Sequence, residues 1–310
     1  MRRILPLIAL AIAAPAAAQQ ARAPFTIAET GQGFQTIDEA VQSVRMGTAT
    51  ILIAPGVYRQ CTVQAGGHIT FKAVTPGTAI FEGTACEGKA AFVLRGQGST
   101  VDGIVFRKMR VADGNGAGIR TEMGDLVVRN AMFLDSQEGI LGGEPAAQKI
   151  SIDHSTFAGL GQCDESPSCS HSIYLANRGS VVITNSRFER GTGGHYVKLR
   201  VPKVTIADNS FDDTQGRKTN YMIDLPEGAT GLITRNTFVQ GPNKENHSGL
   251  IVVSAEAKTY PSAGLRIEGN DASLAPKAPT NPAFVANMSG EQLAVGANRL
   301  GAGIRLYEVR

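Results

Sequence analysis

Six stretches alternate apolar and polar residues, pass through a small or amide residue and close on phenylalanine. They are STVDGIVF (99–106), LVVRNAMF (126–133), ISIDHSTF (150–157), VVITNSRF (181–188), VTIADNSF (204–211) and GLITRNTF (231–238). Apolar positions recur every second residue, so each phrase predicts a short strand rather than a helix. The closing phenylalanines fall at 106, 133, 157, 188, 211 and 238, spaced by 27, 24, 31, 23 and 27 residues. Between the phrases lie second strands: GIR (118–120), GIL (139–141), SIYL (172–175), YVKL (196–199), YMIDL (221–225) and GLIVV (249–253). Two or three short strands per roughly 25 residues, with turns at Asn, Gly and Asp, predict one coil of a solenoid whose coils stack about 4.8 Å apart as parallel sheets. The phenylalanines then form a ladder inside it. A propeller needs four strands per roughly 40–50 residues, and no WD or kelch signature occurs.

This organisation resembles the right-handed parallel β-helix proteins of the pectate-lyase-like superfamily over roughly residues 30–310. The resemblance implies an all-β, single-stranded right-handed parallel β-helix solenoid with an N-terminal capping helix. In GFQTIDEAVQSVRMGTATILIAPGVY, the residues Phe34, Ile37, Val41 and Val44 share one helical face. In this superfamily such a helix covers the open end of the core, which would otherwise expose strand edges. The expected division is a signal peptide at 1–18, a lead-in at 19–33 and the β-helix at 34–310.

The first segment reads as a cleaved leader because Arg2 and Arg3 precede a short apolar run, Ile4 to Ala14, and Ala16-Ala17-Ala18. That run is too short to span a membrane. Export to a bacterial periplasm or beyond is therefore expected, where cysteines can oxidise. Four cysteines allow three pairings; Cys163 and Cys169 share the loop CDESPSC, which leaves Cys61 with Cys86, and free thiols are the alternative. Composition narrows the partners. A formal charge of only +3, two units of it from Arg2 and Arg3, gives no bulk attraction to nucleic acid. Hydrophobic residues at 42% and charged residues at 18% exclude a disordered chain.

The interior of a solenoid is packed, so chemistry belongs on an outer face. Taking Ile173/Leu175, Val197/Leu199 and Ile223/Leu225 as inward pairs puts Tyr174, Lys198 and Asp224 in one outward column. Ser172, Tyr196 and Met222 fall on one side, Ala176, Arg200 and Pro226 on the other, and His171, His195 and Tyr221 at the strand entry. Neighbours in a column lie about 5 Å apart. The run H-x-I-Y, G-H-x-x-K-x-R, Y-x-I-D-L-P also resembles a group of bacterial exported β-helix repeat proteins, here through His171/Tyr174, Gly194/His195/Lys198/Arg200 and Tyr221/Asp224/Pro226. This chain departs from that pattern at Leu199, where a small residue is usual, and at Glu256-Ala257, where EG is usual.

These residue types suit an exported lyase that cleaves a uronic-acid-containing polysaccharide by β-elimination. Arg200 would hold the sugar carboxylate, and Lys198 or His195 would remove the proton. Tyr174, Tyr196 or Tyr221 would protonate the leaving oxygen, Asp224 would orient or tune Lys198, and His171 is a further catalytic candidate. C5 epimerisation and glycoside hydrolysis are the alternatives on the same face. Hydrolysis needs a second acid near Asp224, for which Asp212 and Asp213 are the candidates. A non-catalytic glycan-binding or assembly protein is the alternative of another class. One carboxylate among several cations does not suit calcium, so no cofactor is expected; Glu122, Asp125, Glu138 and Glu144 are the acids that could build a separate calcium site. The expected protein is a monomer with an acidic polysaccharide as partner, no nucleic acid and no membrane span.

Overall fold

The computed structural model describes residues 23–143 and 147–310. The expected signal peptide and Glu144 lie outside the described residues. Strands stack into three sheets of twelve, ten and ten, and successive coils give one strand to each. One coil runs through Gly98–Asp102, Ile104–Arg107 and Ala117–Thr121, and Asp125–Arg129 then pairs parallel with Gly98–Asp102. The chain is an all-β, single-stranded parallel β-helix. Its alternating pattern is the cause: one side of every strand must face the shared interior.

Each phenylalanine phrase is two strands rather than one, because a residue with positive φ turns the chain in its middle. The corner residues are Gly103 (φ 74°), Asn130 (52°), His154 (45°), Asn185 (49°), Asp208 (60°) and Arg235 (52°). Gly, Asn and Asp tolerate this left-handed conformation best. The corner also moves the inward set by one residue: Leu126 and Val128 are buried before Asn130, Ala131 and Phe133 after it. Beyond the corners from Asn130 onward a side chain takes the backbone amide of the preceding coil. Ser155 N donates to Ser186 Oγ at 3.1 Å, and Ser186 N to Asn209 Oδ1 at 2.9 Å. Asn209, Asn236 and Asn270 then donate their amides at 3.0 Å to Asn236, Asn270 and Asn298. Buried corner amides are thereby satisfied.

Phe81, Phe106, Phe133, Phe157, Phe188, Phe211 and Phe238 stack along the second sheet, with the last five steps between 4.7 and 5.2 Å. The helix Ile37–Val44 closes the N-terminal end with Ile37, Ala40 and Val41 buried, and a capping box between Thr36 and Glu39 fixes its start. That cap excludes Phe34 from the helix. Phe34 instead belongs to the short strand Gly33–Phe34, antiparallel to Phe25–Ile27, which extends the first sheet beyond Thr48–Ile53. Disulfides join Cys61 to Cys86 and Cys163 to Cys169. Among the described residues, no helix is long and apolar enough to cross a membrane.

Candidate acid–base site on the third sheet

Strands Ile173–Ala176, Val197–Arg200 and Ile223–Leu225 lie side by side, with Tyr174, Lys198 and Asp224 in register and Ala176 opposite Arg200. At their entry runs a ladder of side-chain acceptors. Glu138 Oε1 faces the His171 amide at 3.4 Å, His171 Nδ1 accepts from the His195 amide at 3.0 Å, and His195 Nδ1 accepts from the Tyr221 amide at 3.2 Å. An accepting Nδ1 leaves the proton on Nε2, so both imidazoles take the Nε2–H form. Burial pushes the pKa of His171 down to about 3 and that of His195 well below its usual value. Both rings are therefore neutral at neutral pH.

His195 Nε2 points at Asp224 Oδ2, 3.4 Å away. Asp224 is 2% exposed, and its Oδ1 has no hydrogen-bond partner. Burial lifts its pKa to about 7, against the pull of Lys198. Lys198 Nζ lies 3.8 Å from Asp224 Oδ2 and 2.7 Å from Glu256 Oε1, so one ammonium spans two carboxylates. For Glu256, partial burial would raise the pKa, but hydrogen bonds from Lys198 and Arg200 hold it below the usual range. Two acids on one cation are thus pushed in opposite directions.

All three nitrogens of Arg200 are engaged. Its Nε donates to the Tyr174 hydroxyl at 3.0 Å, Nη1 to Glu227 at 2.8 Å, and Nη2 to Glu256. A sugar carboxylate would therefore have to displace a glutamate to reach it. The Tyr174 ring lies 5.6 Å from Lys198 Nζ and 5.7 Å from the Arg200 guanidinium, placing an aromatic face beneath both charges.

Several expected positions need correction. Tyr196 does not share the outward face: it is 1% exposed and packs in the core with Met222. The chain is still bending there, as Gly194 has φ 61° and the strand begins only at Val197, so alternation does not yet apply. The Tyr196 hydroxyl donates to Asp213 at 2.8 Å. Asp213 is itself fully buried beside Lys244 at 3.2 Å, while Asp212 accepts from Thr214 in its own turn. Neither aspartate therefore stands beside Asp224. The carboxylate that shares Lys198 with Asp224 is Glu256, with Glu227 on Arg200 beside it, and both sit in turns beyond the strands, where period-two reading ends. The only sequence signal for Glu256 was its place in the departure Glu256-Ala257.

The acids considered for calcium serve other partners. Glu122 binds Arg95 and Lys89, Asp125 accepts the Lys149 amide at 2.8 Å, and Glu138 meets His171. Among the described residues, Cys163, Cys169 and Glu245 lie within mutual ligand reach, but the sulfurs form a disulfide and offer no thiolate.

The family described as "Right handed beta helix region" matches residues 90–272, which include every coil that builds this face. The chain belongs to that family. No curated protein matches this β-helix. Among solved structures it is similar to the Streptococcus pneumoniae surface protein and adhesin PfbA, at 9% identity over 87% of this chain and 93% of that one, with a TM-score of 0.47. It is also similar to ORF18 of Geobacillus virus E2, at 12% identity over 87% of this chain and 56% of that one, with a TM-score of 0.43. Likeness at that level carries no functional argument, so the chemistry of the β-helix rests on its own face.

Proposed function

We propose that this face is a carbohydrate-active acid–base site and that its reaction is glycoside hydrolysis. The observation that carries the reading is the pair Asp224 and Glu256: one carboxyl raised to about 7 by burial, the other held low, both within reach of Lys198. Glycosidases use one protonated and one ionised carboxyl, about 5–9.5 Å apart. The distances of 3.8 and 2.7 Å from a shared ammonium put Asp224 Oδ2 and Glu256 Oε1 at most 6.5 Å apart, below the upper end of that range. Asp224 Oδ1, free of other bonds, would give its proton to the glycosidic oxygen as the carbon–oxygen bond breaks. Glu256, whose side chain is 42% exposed, shares Lys198 with Asp224; an entering glycan displaces it from Lys198 and leaves a free carboxylate at the rim. That carboxylate attacks the anomeric carbon or takes a proton from the attacking water. His195 and Lys198 hold Asp224 in place, and Tyr174 offers an aromatic face.

One observation favours β-elimination as a second reading: the Glu256 carboxylate bridges Lys198 and Arg200 in the place a uronate carboxylate would take. The two readings differ in product. Digestion of a panel of neutral and acidic polysaccharides should release reducing ends without the ultraviolet absorbance of an unsaturated uronate, and Asp224→Asn and Glu256→Gln should each abolish release. Shortened chains carrying the double bond would establish the lyase. Proton exchange without shortening would establish an epimerase, and binding without turnover a glycan-binding protein.

A further inference from the structure

Beside the acid pair, across Arg200, lies a cavity of about 150 Å³. A water occupies about 30 Å³ of liquid, so the cavity has room for about five waters or the polar portion of one sugar unit. Its floor is Gly143 and Ala176, and Tyr260 forms a wall. Above the Gly143 Cα the space is open: a Cβ there would meet only Arg120 Nη2, at 3.8 Å.

The polar groups around this space are incompletely used. Asn177 is 3% exposed, its Oδ1 accepts the Gly179 amide at 2.7 Å, and its Nδ2 has no partner. A buried amide donor left in this state is costly, and an incoming acceptor would relieve it. Arg178 lines the same cavity, is exposed, and forms no ion pair with any carboxylate among the described residues. Glu227, already bound to Arg200, adds an acceptor suited to a sugar hydroxyl. Among the described residues, one unpaired guanidinium, one unpaired amide donor and one carboxylate thus surround a space next to the acid pair.

We infer that this cavity is a subsite for one acidic sugar unit, with Arg178 taking the carboxylate and Asn177 a ring or hydroxyl oxygen. This rests on reading the Asp224–Glu256 face as a glycan site, and it moves recognition of the acid group from Arg200, which is occupied, to Arg178, which is not. A guanidinium binds a carboxylate through two parallel N–H bonds, giving Arg178 a preference that a lysine would lack.

The test is equilibrium binding to the full-length Asp224→Asn variant, which blocks turnover. The probes are tetrasaccharides of galacturonate, glucuronate and mannuronate, each against its carboxyl-reduced neutral form. At least one acidic tetrasaccharide should bind about tenfold or more tightly than its neutral counterpart, the factor expected of one charge-assisted hydrogen bond. Adding Arg178→Gln should remove that preference and leave neutral binding in place. Adding Gly143→Leu, which fills the cavity at a position without left-handed φ, should weaken both forms. No binding of any probe, or a preference that survives Arg178→Gln, overturns the subsite. Hydrolysis stands or falls separately: Arg178-dependent binding with no turnover by the parent keeps the subsite and removes the hydrolase, while turnover that ignores Arg178 does the reverse.

Discussion

Asp224 shows how far one residue's surroundings can set its chemistry. Its outward position follows from alternation, because Ile223 and Leu225 must face the core. Its raised pKa comes from burial and, less, from the negative charge of Glu256, which arrives from a turn 32 residues later that no strand pattern announces. The stability consequence has a definite sign. A folded-state pKa of about 7 lies above the ordinary 3.8, so the folded protein holds this proton more tightly, and the group's contribution declines from about pH 4 to about pH 7. Asp224→Asn should remove that decline and make the protein more stable than the parent at pH 8 in urea titrations. His171 acts oppositely: with a folded pKa of about 3 against 6.5, its contribution is lost as pH falls below 6.5. His171→Asn, which retains an acceptor for the His195 amide, should reduce acid sensitivity in the same measurement. Tyr196 is a structural residue on this account. Tyr196→Phe strips a hydrogen bond from buried Asp213 and should cost about 1–3 kcal/mol of stability, with activity per folded molecule unchanged.

At the scale of the strand, register was the most legible property. A slip of one residue would turn Lys198 inward and Val197 outward, so the observed pairing of Tyr174 with Lys198 and Lys198 with Asp224 is the one that keeps charge off the core. Val197→Asp should therefore give insoluble or unfolded protein. Lys198→Ala should keep its far-ultraviolet circular dichroism, since Asp224 can remain protonated without its cation, and lose activity, since Lys198 no longer holds Asp224 in place. The corners were less legible: a single left-handed residue shifts the inward set by one, and its only trace in the sequence is an odd spacing such as the five residues from Val128 to Phe133. Asn185 (φ 49°) tests that geometry. Asn185→Val should cost about 1–2 kcal/mol, the penalty of a branched residue in this conformation, whereas Asn185→Gly should cost much less.

The whole molecule behaves as a stack in which each coil rests on its neighbours, and its repeating phenylalanines made that architecture readable from the chain. The candidate site occupies consecutive central coils, while the Cys61–Cys86 bond lies toward the N-terminal end. Closing a loop of 25 residues contributes about 3–4 kcal/mol through the unfolded chain. Replacing both cysteines by serine should lower the urea midpoint, and the site should keep its activity below the transition. What the stack does not encode is how its connecting turns fold over the third sheet, and those turns supply Glu227, Glu256 and Tyr260. The proposed acid–base chemistry requires that burial keep Asp224 protonated near neutral pH. Carboxyl-carbon NMR of aspartate-labelled protein, with Asp224→Asn to assign the resonance, measures this directly. A midpoint near 7 for Asp224 is the predicted result, and a midpoint near 4 would contradict the acid–base site.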